Sequence, residues 1–242
     1  MSKFNGMYYY CLGEGKPLVL LHGWGASGKV FYEVARELSL FYKVYVIDFW
    51  GFGQSEQPKS NATIYDFAEG IREFLDYLGQ NVILIGHSFG GRVSLILGSD
   101  KRVKKVILVD SAGILPRFSL KKWYAKQKYQ KTLRAVQAGK KDKSSLDSFG
   151  SSDYKVLSNE WKTIFKNVVN EDLLGYAKKI NKKTLIIWGK RDRDTPLYMA
   201  KKLKRAIKES RLVVLEAGHY SFLDQKEKFC KLVFEFLESE EL

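Results

Sequence analysis

The chain has 242 residues, 45% of them apolar and 28% charged, the balance of one globular domain with room for an insertion; two large domains or a disordered polymer are excluded. No run approaches the roughly 18 apolar residues of a membrane-spanning helix, residues 1–10 lack the basic start and apolar stretch of a secretory signal, and Cys11 and Cys230 are too few and too far apart for a disulfide scaffold, so a cytoplasmic setting is expected. The net charge is +14, and residues 117–183 hold 17 Lys or Arg against 6 Asp or Glu, so most of the excess sits in one segment. Such a surface suits an acidic partner, but Lys outnumbers Arg and the aromatics follow no stacking pattern, which argues against nucleic acid.

Short apolar runs alternate with amphipathic stretches. PLVLL at 17–21, VYVI at 44–47, VILI at 82–85, VILV at 106–109, TLIIW at 184–188 and LVVL at 212–215 are apolar throughout, as strands covered on both faces must be. Ser27 is placed to cap a helix carrying Val30, Phe31, Val34 and Leu38. Thr63 and Asp66 form a capping box for a second helix, with Ile64, Phe67, Ile71, Phe74, Leu75 and Leu78 on one stripe and Gly79 as its left-handed stop. Phe229, Leu232, Val233, Phe236 and Leu237 mark a C-terminal helix. This alternation predicts an α/β fold: a doubly wound, mainly parallel β-sheet flanked by helices. Residues 117–183 break the pattern, reading as helix over 120–138, a polar stretch over 139–153 and helix over 161–180. They are expected to be an insertion, leaving 1–116 and 184–242 as the core.

The sharpest motif is GHSFGG at 86–91, a G-x-S-x-G pattern that directly follows the VILI strand and precedes a helix over 91–98. The spacing has a steric reason. Ser88 must sit on a tight, strained turn that lifts its hydroxyl clear of the sheet, and Gly86 and Gly90 let neighbouring backbone approach without a Cβ. The helix start also points N–H groups at the site, which favours negative charge there. No metal constellation is read, because only His22, His87 and His219 exist and the two Cys are unpaired. Neither a dinucleotide fingerprint nor a P-loop is present, so no cofactor is expected.

The chain resembles the α/β-hydrolase superfamily over nearly its whole length. The pieces that carry the resemblance are HGWG at 22–25, DFWGFGQS at 48–55, GHSFGG at 86–91, WGKRDRDTP at 188–196 and AGH at 217–219, in matching order and spacing. HGWG and the chain length are similar to small carboxylesterases, including the methyl esterase acting on pimeloyl groups bound to acyl carrier protein. Gly90-Gly91-Arg92-Val93 and Asp110-Ser111-Ala112-Gly113 are similar to carbon–carbon bond hydrolases of ring-cleavage products.

The resemblance implies a serine hydrolase acting on a small or medium carboxylic ester, with Ser88 as nucleophile, His219 as base and Asp192 as the acid that orients it. Asp194 and Asp110 are the alternative acids. His22 is implied to be structural, and His87 to point away from the hydroxyl. The oxyanion hole would be the backbone N–H groups of Trp24 and Phe89. Residues 117–183 would form a helical cap whose aromatics, among them Leu120's neighbours Phe118, Trp123 and Tyr124, then Phe149, Tyr154, Trp161 and Phe165, wall a pocket together with Trp24. The expected substrate is a small acyl compound. An acidic carrier protein is a possible partner for Lys121, Lys122 and Lys126. Carbon–carbon bond hydrolysis on the same residues, and a non-catalytic binding protein on this fold, are the alternative readings.

Overall fold

The computed structural model describes residues 2–117, 120–146, 154 and 157–239. Among these, eight strands make one sheet in the order β1-β2-β4-β3-β5-β6-β7-β8. They are β1 (Ser2–Phe4), β2 (Met7–Leu12), β3 (Pro17–Leu21), β4 (Lys43–Ile47), β5 (Val82–His87), β6 (Val103–Val109), β7 (Lys183–Gly189) and β8 (Ser210–Leu215). From β3 to β8 every pairing is parallel, and β2 joins β4 antiparallel. All six apolar runs read from sequence are strands here. The hairpin of β1 and β2 was not read, because MYYYCL carries no sustained apolar run. Its turn was legible all the same: Asn5 and Gly6 both have positive φ, 44° and 79°, the Asn-Gly signature of a tight hairpin.

Helices cover both faces, and the alternation of side chains along each strand shows why. Val19 and Leu21 of β3 join the core under α2 (Ile64–Leu78), α3 (Phe89–Leu97) and α7 (Tyr198–Ala206). Leu18 and Leu20 point the other way, into the core under α1 (Tyr32–Leu38) and α9 (Lys226–Glu238). These leucines are fully buried, and burial of each contributes about 1.5–3 kcal/mol. Between β6 and β7 lie α4 (Leu120–Gln137), α5 (Asn159–Val169) and α6 (Leu174–Ala177), while α8 (Ser221–Asp224) follows β8.

Helix ends test the local expectations one by one. Asp66 reaches back to the Thr63 N–H at 2.7 Å, and Gly79 closes α2 with φ 64°. Ser27, by contrast, caps nothing with its side chain: it precedes a single 3-10 turn, and the Gly28 N–H donates to Asp48 Oδ1 at 2.6 Å. A carboxylate delivered from the end of β4 takes the place of the local cap. The helix expected over 161–180 is two helices, α5 and α6, separated at residues 170–173. The carbonyls of Val169 and Glu171 at that break accept hydrogen bonds from Arg92 of α3, both at 3.0 Å. This tertiary contact leaves no trace in the local sequence.

Candidate active site

The turn from β5 into α3 holds Ser88 at φ 49°, ψ −107°. A non-glycine residue in such a conformation stores about 1–3 kcal/mol, which the surroundings must over-determine. They do. The Ser88 N–H donates to Val109 O at 3.1 Å, and its carbonyl accepts from Arg92 N–H at 3.2 Å and Ala112 N–H at 3.1 Å. A Cβ on Gly90 would overlap the carbonyl oxygen of Leu21 in β3, and one on Gly86 would overlap Ser94 Oγ and Gly90 O. The turn lies at the carboxyl ends of β3 and β5, where the strand order reverses direction, the crevice in which open α/β sheets bind ligands.

Two further loops meet Ser88 there. Lys190 N–H donates to Leu215 O at 2.8 Å and Arg191 N–H to Ala217 O at 2.9 Å, so the chain leaving β7 runs alongside the chain leaving β8. His219 Nε2 lies 3.0 Å from Ser88 Oγ, and His219 Nδ1 lies 2.8 Å from Asp192 Oδ2. Asp192 is held in turn: its Oδ1 accepts from the N–H groups of Asp194 (2.8 Å) and Thr195 (2.9 Å), and its Oδ2 from the Thr195 hydroxyl (2.6 Å). Burial pushes the Asp192 carboxyl up, but the bonds from His219 and Thr195 outweigh it and hold the group below the ordinary range. Burial pushes the His219 imidazole down, but the hydrogen bond and charge of Asp192, with Asp110 and Asp194 behind it, hold it above the ordinary value. The Asp–His–Ser chain is therefore arranged with the proton on Nδ1 and a lone pair on Nε2 facing the hydroxyl.

The other two histidines do different work. His22 Nε2 accepts from Phe49 N–H at 3.1 Å, leaving Nδ1 to donate to Gly23 O at 2.7 Å, and full burial lowers its pKa to about 4. It is a neutral strut between the chain exits of β3 and β4. His87 turns away from the Ser88 hydroxyl and donates from Nε2 to the His219 carbonyl at 2.8 Å. Burial, with His219 nearby, lowers it to about 3. It props the loop that carries His219, and its Nδ1 has no hydrogen-bond partner among the described residues.

Asp194 is exposed and offers its backbone N–H to Asp192; the structure does not put it on His219 Nδ1. Asp110 is buried at φ 44° and accepts from Gly189 N–H (2.7 Å) and Ser221 N–H (3.0 Å), tying the two loops together from below. Burial raises its pKa to about 7. Asp192, Asp194 and His219 offer ligand atoms within 4.8 Å of one another, yet a metal there would have to displace the hydrogen bonds just described.

A cavity of about 480 Å³ opens over Ser88 and His219, walled by Trp24, Ile114, Phe165, Val168 and Met199 among others. Trp24 is the hub of its aromatic wall, edge-on to Phe52, Phe89, Trp161 and Phe165. Trp161 backs that wall without lining the cavity. Trp123 and Tyr124 are exposed, pack on each other 4.9 Å apart, and do not line it either. They sit on α4 away from its half-buried residues Tyr129, Leu133 and Val136, which recur at helical spacing. Phe118 and Phe149 lie outside the described residues, as do the side chains of Lys121, Lys122 and Lys126. Arg92, Thr195 and Met199 line the cavity and were not read from sequence. Thr195 had a signal, standing three residues after an acid and before a proline. Behind Ser88, the N–H groups of Trp24 and Phe89 have no hydrogen-bond partner among the described residues. Gly23 is so close that a Cβ on it would lie 3.4 Å from Ser88 Cβ.

Residues 16–149, more than half of the chain, match the family model described as the alpha/beta hydrolase fold. The chain belongs to the α/β-hydrolase fold family. This hydrolase is 30% identical to the AB hydrolase superfamily protein YisY of Bacillus subtilis, over 94% of each chain. It is 26% identical to the pimeloyl-[acyl-carrier protein] methyl ester esterase of Aliivibrio salmonicida, over 98% of each chain. The solved structure of an esterase from Exiguobacterium antarcticum superposes with a TM-score of 0.74 at 27% identity, covering 96% of each chain. No helix among the described residues is long and apolar enough to cross a membrane.

Proposed function

We propose that this hydrolase cleaves small or medium carboxylic esters through an acyl-enzyme intermediate. The observation that carries the reading is the unbroken chain from Asp192 through His219 to Ser88 at 2.8 and 3.0 Å, opening into a cavity walled in part by Trp24, Ile114, Phe165, Val168 and Met199. Ser88 Oγ attacks the ester carbonyl while His219 Nε2 takes its proton. Asp192 holds the tautomer and balances the imidazolium. The N–H groups of Trp24 and Phe89 receive the oxyanion, each worth about 3 kcal/mol in the transition state. The proton passes to the departing alcohol. Water then repeats the sequence, the acid leaves and Ser88 recovers its hydrogen. The esterases among its relatives support an ester substrate, beside a relative named as a 2-hydroxy-6-oxo-6-phenylhexa-2,4-dienoate hydrolase.

Residues 117–183 act as a cap that keeps water from the acyl group, the core being 1–116 and 184–242. The basic charge of this segment fits an acidic carrier protein as the bearer of the acyl chain, and the cysteine usage fits the cytoplasm. Charge reversal at Lys121, Lys122 and Lys126 then slows a carrier-bound ester far more than a free one; equal slowing removes the carrier from the proposal. The function itself is tested with p-nitrophenyl acetate and butyrate. Ser88→Ala abolishes turnover and labelling by a fluorophosphonate. Undiminished turnover in that variant, or labelling mapped to another serine, refutes the mechanism.

A further inference from the structure

Arg92 is the residue that the proposed mechanism leaves unused. It stands four residues beyond Ser88 on α3, a rise of about 6 Å on nearly the same helix face. Arg92 lines the cavity over Ser88 although it is only 6% exposed. One hydrogen from Nη1 goes to Glu171 O and one from Nη2 to Val169 O, each at 3.0 Å. A guanidinium has five N–H donors in a planar fork, so three remain. Among the described residues no carboxylate lies within salt-bridge distance of it. Burial pulls its pKa down to about 10 against the distant help of Glu171 and Asp172. A buried cation bonded only to neutral carbonyls is incompletely compensated. Among the described residues of the cavity wall, Asp194 is the carboxylate, exposed and close to His219.

We infer that Arg92 is the anchor of an anion subsite, and that the preferred substrate is a half-ester of a dicarboxylic acid whose free carboxylate sits on Arg92 while the ester carbonyl lies at Ser88. This deepens the proposed hydrolysis and rests on it, and it takes a free half-ester in place of a carrier-bound one, since an acyl chain linked to a carrier has no free carboxylate. The two charged walls set the direction of binding: Asp194 repels the free carboxylate from the His219 end and Arg92 attracts it to the α5 end. The net charge of +14 draws such an anion from solution. Tying Arg92 to the break between α5 and α6 holds the fork in place before substrate arrives, so little side-chain entropy is lost on binding.

The test compares two esters with the same carbon skeleton, the p-nitrophenyl monoester of adipic acid and p-nitrophenyl hexanoate. The expected wild-type preference in kcat/KM for the acidic ester is about tenfold to hundredfold, the range of a charge-assisted hydrogen bond, and it resides in KM. Arg92→Gln removes the preference and Arg92→Lys keeps part of it. The ratio is taken within each protein, so a general loss of activity from loosening α5 does not disturb it. A wild-type ratio at or below one, or the same ratio in Arg92→Gln, overturns the subsite and leaves Arg92 as a clamp for α5 alone. Hydrolysis of neither ester refutes the ester reading instead. The subsite is then judged by tryptophan fluorescence, Trp24 lying on the cavity wall: monomethyl adipate must bind the wild type more tightly than methyl hexanoate, and equal binding overturns it.

Discussion

Asp192→Asn separates the geometry of the relay from its electrostatics. Oδ1 accepts two backbone N–H groups, so the new amide must keep its oxygen there and place its NH₂ where Oδ2 stood. The Thr195 hydroxyl adapts by donating to Asp110 O, already 3.0 Å away, and accepting from the amide. His219 has no such freedom: Nδ1, 2.8 Å from an NH₂, must become the acceptor, which moves its hydrogen to Nε2. Nε2 then donates to Ser88 Oγ across 3.0 Å and cannot take its proton. Loss of the correct tautomer lowers kcat by about 10⁴, which is about 5.5 kcal/mol of transition-state stabilisation, while the packing is unchanged. The assay is p-nitrophenyl butyrate hydrolysis at saturating substrate, beside a thermal melt and a fluorophosphonate labelling rate. A variant within tenfold of wild type in kcat refutes the reasoning and passes the role of orienting acid to another carboxylate.

Because His219 is held above the ordinary histidine pKa of about 6.5, the acid limb of kcat/KM should have its midpoint above that value, and Asp194→Asn, which removes one of the supporting charges, should move it down; a limb below about 6.5 in the wild type contradicts the arrangement. Gly90→Ala drives a methyl group into the Leu21 carbonyl and should destabilise by about 1–3 kcal/mol, read as a melting temperature lower by roughly 2–4 °C per kcal/mol; an unchanged melt means that the turn can relax. Asp110 releases its proton near pH 4 when unfolded and at about 7 when folded. Its contribution to stability is therefore complete below about pH 4 and lost as pH rises to about 7. The melting advantage of wild type over Asp110→Asn should shrink across that interval, and a constant difference would show that the buried carboxyl does not titrate there.

The strands, the helix-bearing stretches and the Ser88 turn were legible because each leaves a pattern within a few residues of sequence, even where the partner that demands it, such as Leu21 for Gly90, is distant. Apolar runs such as VILI at 82–85 report burial on both faces, and Gly86, Ser88 and Gly90 report one steric problem within five residues. Where a distant group intervened, local reading lost its hold. Ser27 yielded its capping role to Asp48, twenty-one residues on, and the helix expected over 161–180 was divided at a point held by Arg92. Aromatic character alone did not tell Trp24, on the cavity wall, from Trp123, facing solvent on α4.

By itself, then, the amino-acid order determined the layers of the sheet and the bend that raises Ser88, since periodicity and glycine spacing are visible within a few residues of the chain. Only the tertiary structure decided that three loops leaving β5, β7 and β8 converge to within hydrogen-bonding distance, and that a cation four residues past the serine looks into the same cavity. Those facts depend on the register of β6 on β7 and of β7 on β8, which brings Ser88 and His219 together from 131 residues apart, and no local pattern encodes a contact of that kind.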